Sequence, residues 1–189
     1  MGVLQFNETY TLDEFLKIDN QSDIPLEFIN GYIYAKSFTS INHNRIVNRI
    51  NAKIDSYLAG KPCIVLSEQI EVILGENRVK PDVFVVCKGK KNKFDTLGQS
   101  FLTIPTIIFE VVSHSNARLD TVTKMDLYAK YRIKEYNLVY QEGEIHQYKL
   151  NEYGVYYLNK SYKKDNIYKS VVFKDLEIDI NTIFQDLEL

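Results

Sequence analysis

Two carboxylates interrupt apolar stretches of this sequence. Glu110 lies within residues 106–113, a run of β-branched and aromatic residues that predicts a buried strand. An ionised glutamate in such a strand is costly unless a cation, a proton or good hydrogen bonds compensate its charge. Asp82 follows Pro81 and opens a second apolar run, residues 83–86. Two carboxylates on neighbouring strands favour a site for a hard metal ion such as Mg²⁺ or Mn²⁺.

Further residues could complete such a site. Glu27 interrupts the strand-like run 26–29 and is a third candidate ligand, although a solvent-facing hairpin glutamate is an equally good interpretation. Lys124 stands four residues after Asp120 and four before Tyr128, so the three share one face of a predicted helix. Lys124 would orient or deprotonate an attacking water. The alternatives are a surface ion pair between Asp120 and Lys124, a helix N-cap for Asp120, and plain packing for Tyr128.

The remaining polar residues are accessory candidates. His43 opens a long helical pattern and could face the site or a phosphate, while a solvated helix start is the alternative. Ser113 ends the Glu110 strand and could hydrogen-bond near the carboxylates. Glu110 could instead face solvent at a strand end or form a structural salt bridge with Lys124, and Asp82 could simply begin a strand after proline. The basic stretch 88–93 could follow a nucleic-acid backbone or be only solvated.

Composition limits the classes of function. The chain has 189 residues and a formal net charge of −2, which argues against broad, non-specific binding to nucleic acid but not against a local basic rim. Cys63 and Cys87 show no metal-ligand spacing and are interpreted as small core residues, so we expect no disulfide and a reducing, cytoplasmic compartment. Residues 1–8 lack the pattern of a signal peptide, and no stretch has the length of a membrane span.

The order of the predicted elements indicates the fold class. We expect one domain over residues 1–189, an α/β sandwich with a mixed sheet, because helices and strands follow one another with hairpins added at both ends. A capping box at Thr11 and a turn at Asn30 and Gly31 support the first helix and the first hairpin. The predicted helices are residues 11–18, 41–58, 120–133 and 180–184, and the predicted strands are residues 26–29, 32–35, 63–74, 79–87, 106–113, 136–140, 145–150, 155–158 and 168–173.

Taken together, these motifs resemble those of a known family. Pro81 and Asp82 on one strand, with Glu110 on the next, resemble the bipartite acidic motif of the PD-(D/E)XK nuclease superfamily. More narrowly, residues 10–185 are similar to the Uma-two family of restriction-endonuclease-like proteins. The matching pieces are Glu27 with Asn30 and Gly31, His43, Pro81 and Asp82, Pro105 before Glu110, Val111, Val112 and Ser113, then Asp120, Lys124, Tyr128 and the strand 135–139.

The chain departs from the superfamily pattern at one position and from the family pattern at another. The superfamily's lysine usually stands two residues after the second acid, where this chain has Val112. In the Uma-two pattern that lysine lies on the following helix, which makes Lys124 its natural replacement here. Asn137 stands where the family usually has tryptophan.

The resemblance implies a fold, a reaction and a set of partners. The fold is a restriction-endonuclease-like mixed β-sheet core, α/β (α+β) in class, flanked by helices. The reaction is hydrolysis of phosphodiester bonds in DNA, with Mg²⁺ or Mn²⁺ as cofactor. A homodimer is expected by analogy, and no membrane partner is expected. Asp82, Glu110 and Glu27 would be the metal ligands and, with Lys124, the catalytic residues. The alternatives are a non-catalytic module that binds nucleic acid or protein, and a hydrolase of small phosphate esters.

Overall fold

The computed structural model describes residues 8–36, 40–68, 70–88, 100–101, 103–113 and 117–187. The α-helices within these ranges are α1 (Leu12–Asp19), α2 (Ile41–Leu58), α3 (Met125–Lys130) and α4 (Ile180–Phe184). The strands are β1 (Leu26–Ile29), β2 (Tyr32–Ala35), β3 (Cys63–Ser67), β4 (Glu71–Leu74), β5 (Asn77–Val79), β6 (Val83–Cys87), β7 (Ser100–Phe101), β8 (Ile107–Val112), β9 (Glu135–Tyr140), β10 (Glu144–Leu150), β11 (Tyr156–Tyr162), β12 (Ile167–Lys169) and β13 (Glu177–Asp179).

Two large sheets organise the fold. Six strands form a mixed sheet in the order β11-β10-β9-β8-β6-β3, in which β8 and β9 are parallel and the other pairs are antiparallel. A five-stranded sheet has the order β2-β1-β5-β4-β7, and β12 pairs with β13 in a small ribbon. The predicted mixed sheet with flanking helices, and with hairpins near both ends of the chain, is confirmed.

Side-chain alternation along β6 and β8 separates the two faces of the six-stranded sheet. Phe109 joins the core beneath α2. Phe84 and Ile108 join a different core, which the six-stranded sheet shares with the five-stranded sheet. By the same alternation Asp82 and Glu110 belong to this second face. The two acids therefore point into the layer between the sheets.

Local signals in the sequence account for the first elements. Thr11 and Glu14 form both hydrogen bonds of the predicted capping box at the start of α1. Asn30 and Gly31 have φ angles of 51° and 86°, the positive pair that a type I′ turn requires, and they join β1 to β2 as predicted. Helix α2 spans the predicted residues, with the Ser40 side chain capping its first turn.

The prediction of two long strands, residues 63–74 and 79–87, is wrong. Each segment is two strands that belong to different sheets. The first segment breaks after β3, where Glu68 takes a φ of 47°. The second breaks at residues 80–82, where Pro81 has no N–H group to offer a neighbouring strand. The two breaks meet, because Glu68 N donates to the carbonyl oxygen of Pro81 at 3.1 Å.

The predicted helix at residues 120–133 is shorter than expected and begins differently. Leu119–Lys124 forms a π-helical turn, and α3 continues from it and ends at Lys130. The N-cap position of the turn is Arg118, so the interpretation of Asp120 as an N-cap is wrong. Single π-helical turns occur often at functional sites.

The C-terminal part of the chain follows the prediction incompletely. Strands β10 and β11 pair antiparallel as expected, over longer ranges than predicted. The strand predicted at residues 168–173 is wrong in extent, because β12 ends at Lys169 and pairs with β13, which was not predicted. Helix α4 spans the predicted residues 180–184.

A buried carboxylate fastens the C-terminal segment to the six-stranded sheet. Glu135, the first residue of β9, is fully buried and accepts a hydrogen bond from Ser170 Oγ at 2.7 Å. The N–H groups of Val171 and Val172 donate to the same carboxylate at 3.0 and 3.2 Å, and Tyr168 OH also donates. These neutral donors replace water around the charge, so the carboxylate serves to hold the two segments together.

Cys63 and Cys87 form a disulfide, so the expectation of two unpaired core cysteines is wrong. They are direct cross-strand partners in the register of β3 and β6, with Cα atoms 4.0 Å apart. Unpaired cysteines were the reason for expecting a reducing compartment, and that reason is removed. Across the described residues, none of the helices combines the length and the apolar character needed to cross a membrane.

Candidate active site

Three carboxylates from separate strands meet in the layer between the two sheets. Glu27 belongs to β1 of the five-stranded sheet, Glu110 belongs to β8 of the six-stranded sheet, and Asp82 lies directly before β6. All three side chains are buried. The interpretation of Glu27 as a solvent-facing hairpin residue is therefore wrong. The fold brings together the acids that the sequence analysis selected.

One oxygen of each carboxylate is held by a backbone N–H group. Glu27 Oε1 accepts from Lys80 N at 2.6 Å, and Asp82 Oδ2 accepts from Val111 N at 2.8 Å. Glu110 Oε2 accepts from Asp82 N at 3.2 Å. Backbone donors favour the ionised form and fix the direction of the side chain. The second oxygen of each carboxylate is left to face the cations of the site.

Lys124 supplies a buried cation to this cluster. Its Nζ lies 3.1 Å from Glu27 Oε2, 3.1 Å from Glu110 Oε1 and 3.6 Å from Asp120 Oδ1. The lysine side chain is only 2% exposed, so the interpretation of Asp120 and Lys124 as a surface ion pair is wrong. Tyr128 OH donates to Glu110 Oε1 at 2.8 Å, which adds a polar contact to its packing. The π-helical turn and α3 thus carry three residues to the acids.

A second lysine, Lys36, was not among the sequence candidates. It directly follows β2, and its Nζ donates to Asp82 Oδ1 at 2.8 Å and to the carbonyl oxygen of Lys80 at 2.9 Å. Its side chain is 16% exposed, so it lies nearer to solvent than Lys124. Lys36 could have been selected as a candidate from its position, because it is a charged residue directly after a buried strand. Asp82 has the corresponding position directly before a buried strand.

His43 and Glu68 extend the cluster beyond Asp82. His43, in the first turn of α2, places Nε2 3.5 Å from Asp82 Oδ1 and 3.4 Å from Glu68 Oε1. Glu68, directly after β3, was also missed by the sequence analysis, and its side chain is 27% exposed. The imidazole is buried, so the interpretation of His43 as a solvated helix start is wrong. Its Nε2 makes no well-formed hydrogen bond to any described residue.

Negative charge predominates in the cluster, because among the described residues five carboxylates face two lysines and one histidine. Burial raises the pKa of Glu110 and of Asp120, although Lys124 opposes the rise. At Asp82 burial also favours the protonated form, but the charge of Lys36 and the nearby imidazole outweigh it and hold the pKa below its usual range. The surplus of buried negative charge is one that a bound cation would relieve.

The cations of the cluster hold their protons firmly. Burial opposes the charge of Lys124, but Glu110 and the other neighbouring carboxylates raise its pKa well above the usual value. The pKa of Lys36 is raised against burial in the same way, chiefly by Asp82. The carboxylates beside His43 overcome its burial and raise its pKa to about 9. Both lysines are therefore hydrogen-bond donors at neutral pH and not bases.

The donor set suits a divalent ion. Carboxylate oxygens such as those of Glu27, Asp82 and Glu110 are the ligands that Mg²⁺ and Mn²⁺ prefer. His43, Glu68 and Asp82 form another group, whose ligand atoms lie within 4.8 Å of one another. The residues of the site therefore fit an ion, and Asp82 belongs to both groups.

Three sequence features remain to be compared with the structure: Ser113, Val112 and the basic stretch 88–93. Ser113 is half-buried directly after β8. Val112, at the superfamily's lysine position, lies in the apolar core between the sheets, so Lys124 reaches the acids from a different element. Of the basic stretch 88–93, only Lys88 belongs to the described part of the chain.

Comparison with known sequences identifies one family. The sequence model of the family described as "Uma2: Putative restriction endonuclease" matches residues 12–181. The uncharacterized protein slr1290 of Synechocystis sp. is 30% identical over 146 residues, which are 75% of this chain and 75% of that protein. The uncharacterized protein sll1609 of the same organism is 27% identical over 144 residues, which are 75% of this chain and 80% of that protein.

A solved structure shares the fold. It is the crystal structure of a putative nuclease belonging to DUF820 from Anabaena variabilis, with a TM-score of 0.73 and 18% sequence identity. The match covers 92% of this chain and 97% of that chain. The nuclease-like fold that the motifs implied is therefore confirmed.

Proposed function

Because the chain belongs to the Uma2 family of putative restriction endonucleases, we propose that it is a divalent-metal-dependent endonuclease that hydrolyses phosphodiester bonds in DNA. One observation carries the proposal: Glu27, Asp82 and Glu110 meet beside Lys124, whose Nζ lies 3.1 Å from two of these acids. Acids alone would suit many kinds of protein. A cluster of acids with a lysine beside it can both bind a metal ion and donate a hydrogen bond to an attacking water.

Asp82 and Glu110 are the proposed ligands of the ion, with Glu27 as a third ligand directly or through water. Backbone N–H groups hold one oxygen of each, so the other oxygen is already directed into the site. A bound Mg²⁺ or Mn²⁺ would supply positive charge to the phosphate as negative charge develops on it. The surplus of carboxylates over cations favours a divalent ion at this point.

Lys124 orients the attacking water in this proposal. Its raised pKa means that the ammonium donates hydrogen bonds and does not accept a proton, so we favour orientation over the general-base role. Contacts to Glu27, Glu110 and Asp120 fix the position of its tip. An ammonium has three N–H groups, and one can turn from a carboxylate to a water without moving the lysine stem.

Lys36 and Glu68 mark the side from which a substrate would reach the site, because they are its most exposed members. Lys36 would contact a phosphate oxygen of the DNA backbone. We propose further that the whole chain acts as one domain, as a homodimer, on DNA in the cytoplasm. In that compartment thiol reductants would act on the disulfide between Cys63 and Cys87.

Cleavage of DNA by the purified protein with Mg²⁺ or Mn²⁺ tests the proposal. Glu110→Gln and Asp82→Asn should each reduce the cleavage rate by about 100-fold or more, because each removes a proposed ligand of the ion. Glu144→Gln is the matched control, since Glu144 lies on β10 outside the site and pairs with His146 at 2.8 Å. Circular dichroism establishes that each variant folds. Equal cleavage by the wild type and Glu110→Gln would overturn the assignment.

The same samples distinguish the alternative functions. A non-catalytic module would bind DNA or a protein and cleave nothing with either ion. A hydrolase of small phosphate esters would turn over a small phosphodiester, and DNA oligomers would not compete with that substrate.

A further inference from the structure

A second group of ligands adjoins the acids of the proposed active site. His43 comes from the first turn of α2, Glu68 follows β3, and Asp82 precedes β6. One ligand atom from each lies within 4.8 Å of the others. His43 Nε2 lies 3.4 and 3.5 Å from the two carboxylate oxygens, within the roughly 4 Å that two ligands of one ion can span. Three separate elements therefore present ligands to one point.

The ring nitrogen of His43 is the observation that points to a bound ion. The side chain is only 8% exposed, and Nε2 has no hydrogen-bond partner within the described part of the chain. The oxygens of Glu68 and Asp82 lie at the outer limit for a hydrogen bond to it. A buried polar atom without a good partner is uncommon in a folded protein. A metal ion would satisfy this nitrogen, because imidazole is the commonest metal ligand among side chains.

Backbone contacts hold the three ligand residues in position. His43 N donates to Ser40 Oγ at 3.1 Å, which fixes the first turn of α2. Glu68 N donates to the carbonyl oxygens of Pro81 at 3.1 Å and Asp82 at 3.3 Å. The loop after β3 is thus attached to the loop before β6, and the two carboxylates stay side by side. The ligand set is arranged before any ion arrives.

We propose that His43, Glu68 and Asp82 bind a divalent transition-metal ion such as Mn²⁺. His43 releases the proton on Nε2 to solvent as the ion binds, and this nitrogen and one oxygen of each carboxylate are the ligands. Mg²⁺ prefers oxygen ligands, whereas an imidazole nitrogen favours the transition-metal ions. The site binds Co²⁺ more tightly than Mn²⁺, and Mn²⁺ more tightly than Mg²⁺. This ion would share Asp82 with the ion proposed for the active site, and only its role in cleavage rests on the proposed function.

Lys36 competes with the ion for Asp82. Its Nζ lies 2.8 Å from Asp82 Oδ1, which is the oxygen that faces His43. The long lysine side chain can turn toward solvent when an ion binds. Lys36→Met should therefore raise the affinity for Mn²⁺ about 5- to 10-fold, because it removes a competing positive charge.

Mn²⁺ binding to the full chain without an affinity tag tests the site. Calorimetry gives the Kd, and electron spin-echo spectroscopy shows a nitrogen modulation when an imidazole binds the ion. We expect the modulation in the wild type. His43→Gln should abolish it and weaken binding by about 10- to 100-fold or more, and Glu68→Gln should weaken binding similarly while the modulation remains. His146→Gln, the matched control on β10, should change neither quantity.

The outcomes separate this inference from the proposed function. Mn²⁺ that binds without nitrogen modulation, and that is lost in Glu110→Gln but not in Glu68→Gln, would overturn the His43 site and leave the nuclease proposal standing. Mn²⁺ bound to His43 without DNA cleavage would support the site and count against the nuclease. No Mn²⁺ binding at all would overturn the site and leave His43 as a structural ion-pair residue. The wild-type spectrum decides the question even if a variant fails to fold.

Discussion

Replacing Lys124 by methionine removes the buried cation from the carboxylate cluster. Methionine keeps a flexible, unbranched side chain and loses only the charge and the N–H donors. In the folded protein Lys124 Nζ lies 3.1 Å from Glu27, 3.1 Å from Glu110 and 3.6 Å from Asp120. With an effective dielectric constant of about 20, each attraction is worth about 5 kcal/mol, or roughly 15 kcal/mol together.

The expected loss of stability is much smaller than the sum of these attractions. The variant no longer has to remove an ammonium from water, and the carboxylates left behind can take up protons. Removing one partner of a buried ion pair costs about 3–5 kcal/mol. In a chain of this length such a loss lowers Tm by roughly 10–15 °C.

The loss should also depend on pH. Burial raises the pKa of Glu110 and of Asp120, so the folded protein takes up protons at a pH where the unfolded chain does not. Without the positive charge of Lys124, the folded protein takes up these protons more readily. Proton uptake by the folded state stabilises it as the pH falls. The difference in stability between variant and wild type should therefore narrow from about pH 8 to about pH 5.

Urea titrations of the wild type and Lys124→Met over this pH range measure the effect. Lys130→Met is the control, because it is the same substitution at an exposed lysine of α3, and we expect a change of no more than about 0.5 kcal/mol. A Lys124→Met protein as stable as the wild type at every pH would refute the argument that the ammonium compensates the buried acids.

Two further predictions concern the rest of the fold. Reduction of the Cys63–Cys87 disulfide should lower the free energy of unfolding by about 3.5 kcal/mol, because the bond closes a loop with a sequence separation of 24, and thermal melts with and without reductant measure this. A reductant effect that persists in Cys63→Ser would contradict the explanation. Ser170→Ala should cost about 1.5–3 kcal/mol in urea titrations, because Glu135 loses a hydrogen bond of 2.7 Å. An effect no larger than that of the exposed control Ser56→Ala would count against this role.

Local chemistry made much of the fold predictable from the sequence. The capping box at Thr11 and the turn at Asn30 and Gly31 act over three or four residues, so they need no knowledge of the rest of the chain. The apolar spacing in α2 likewise defines one buried face. Asp82 and Glu110 could be selected because a charge beside or within an apolar strand is conspicuous in the sequence itself.

The remaining features depend on which strands become neighbours. The disulfide requires Cys63 and Cys87 to lie opposite each other in the β3–β6 pair. Lys36 and Glu68 lie near Asp82 because the chain passes from one sheet to the other after β3 and again before β6. Neither passage between sheets could be recognised in the sequence. Alternation of side chains indicates which face a residue takes but not which strand lies beside it. The central acids could therefore be predicted from the sequence, whereas the proximity of Lys36 and Glu68 to Asp82 could not.

The direction of Lys124 depends on a single extra residue in the connection between the parallel strands β8 and β9. That connection contains the π-helical turn Leu119–Lys124, and such a turn is wider than an α-helical turn by about one residue. Deleting one residue there would restore the ordinary helical period, and residues of the turn would change their positions around the helix axis by up to about 100°, the angle between successive residues. A change in the length of this connection would therefore move the Lys124 ammonium toward or away from the acids, while the positions of β8 and β9 stay the same.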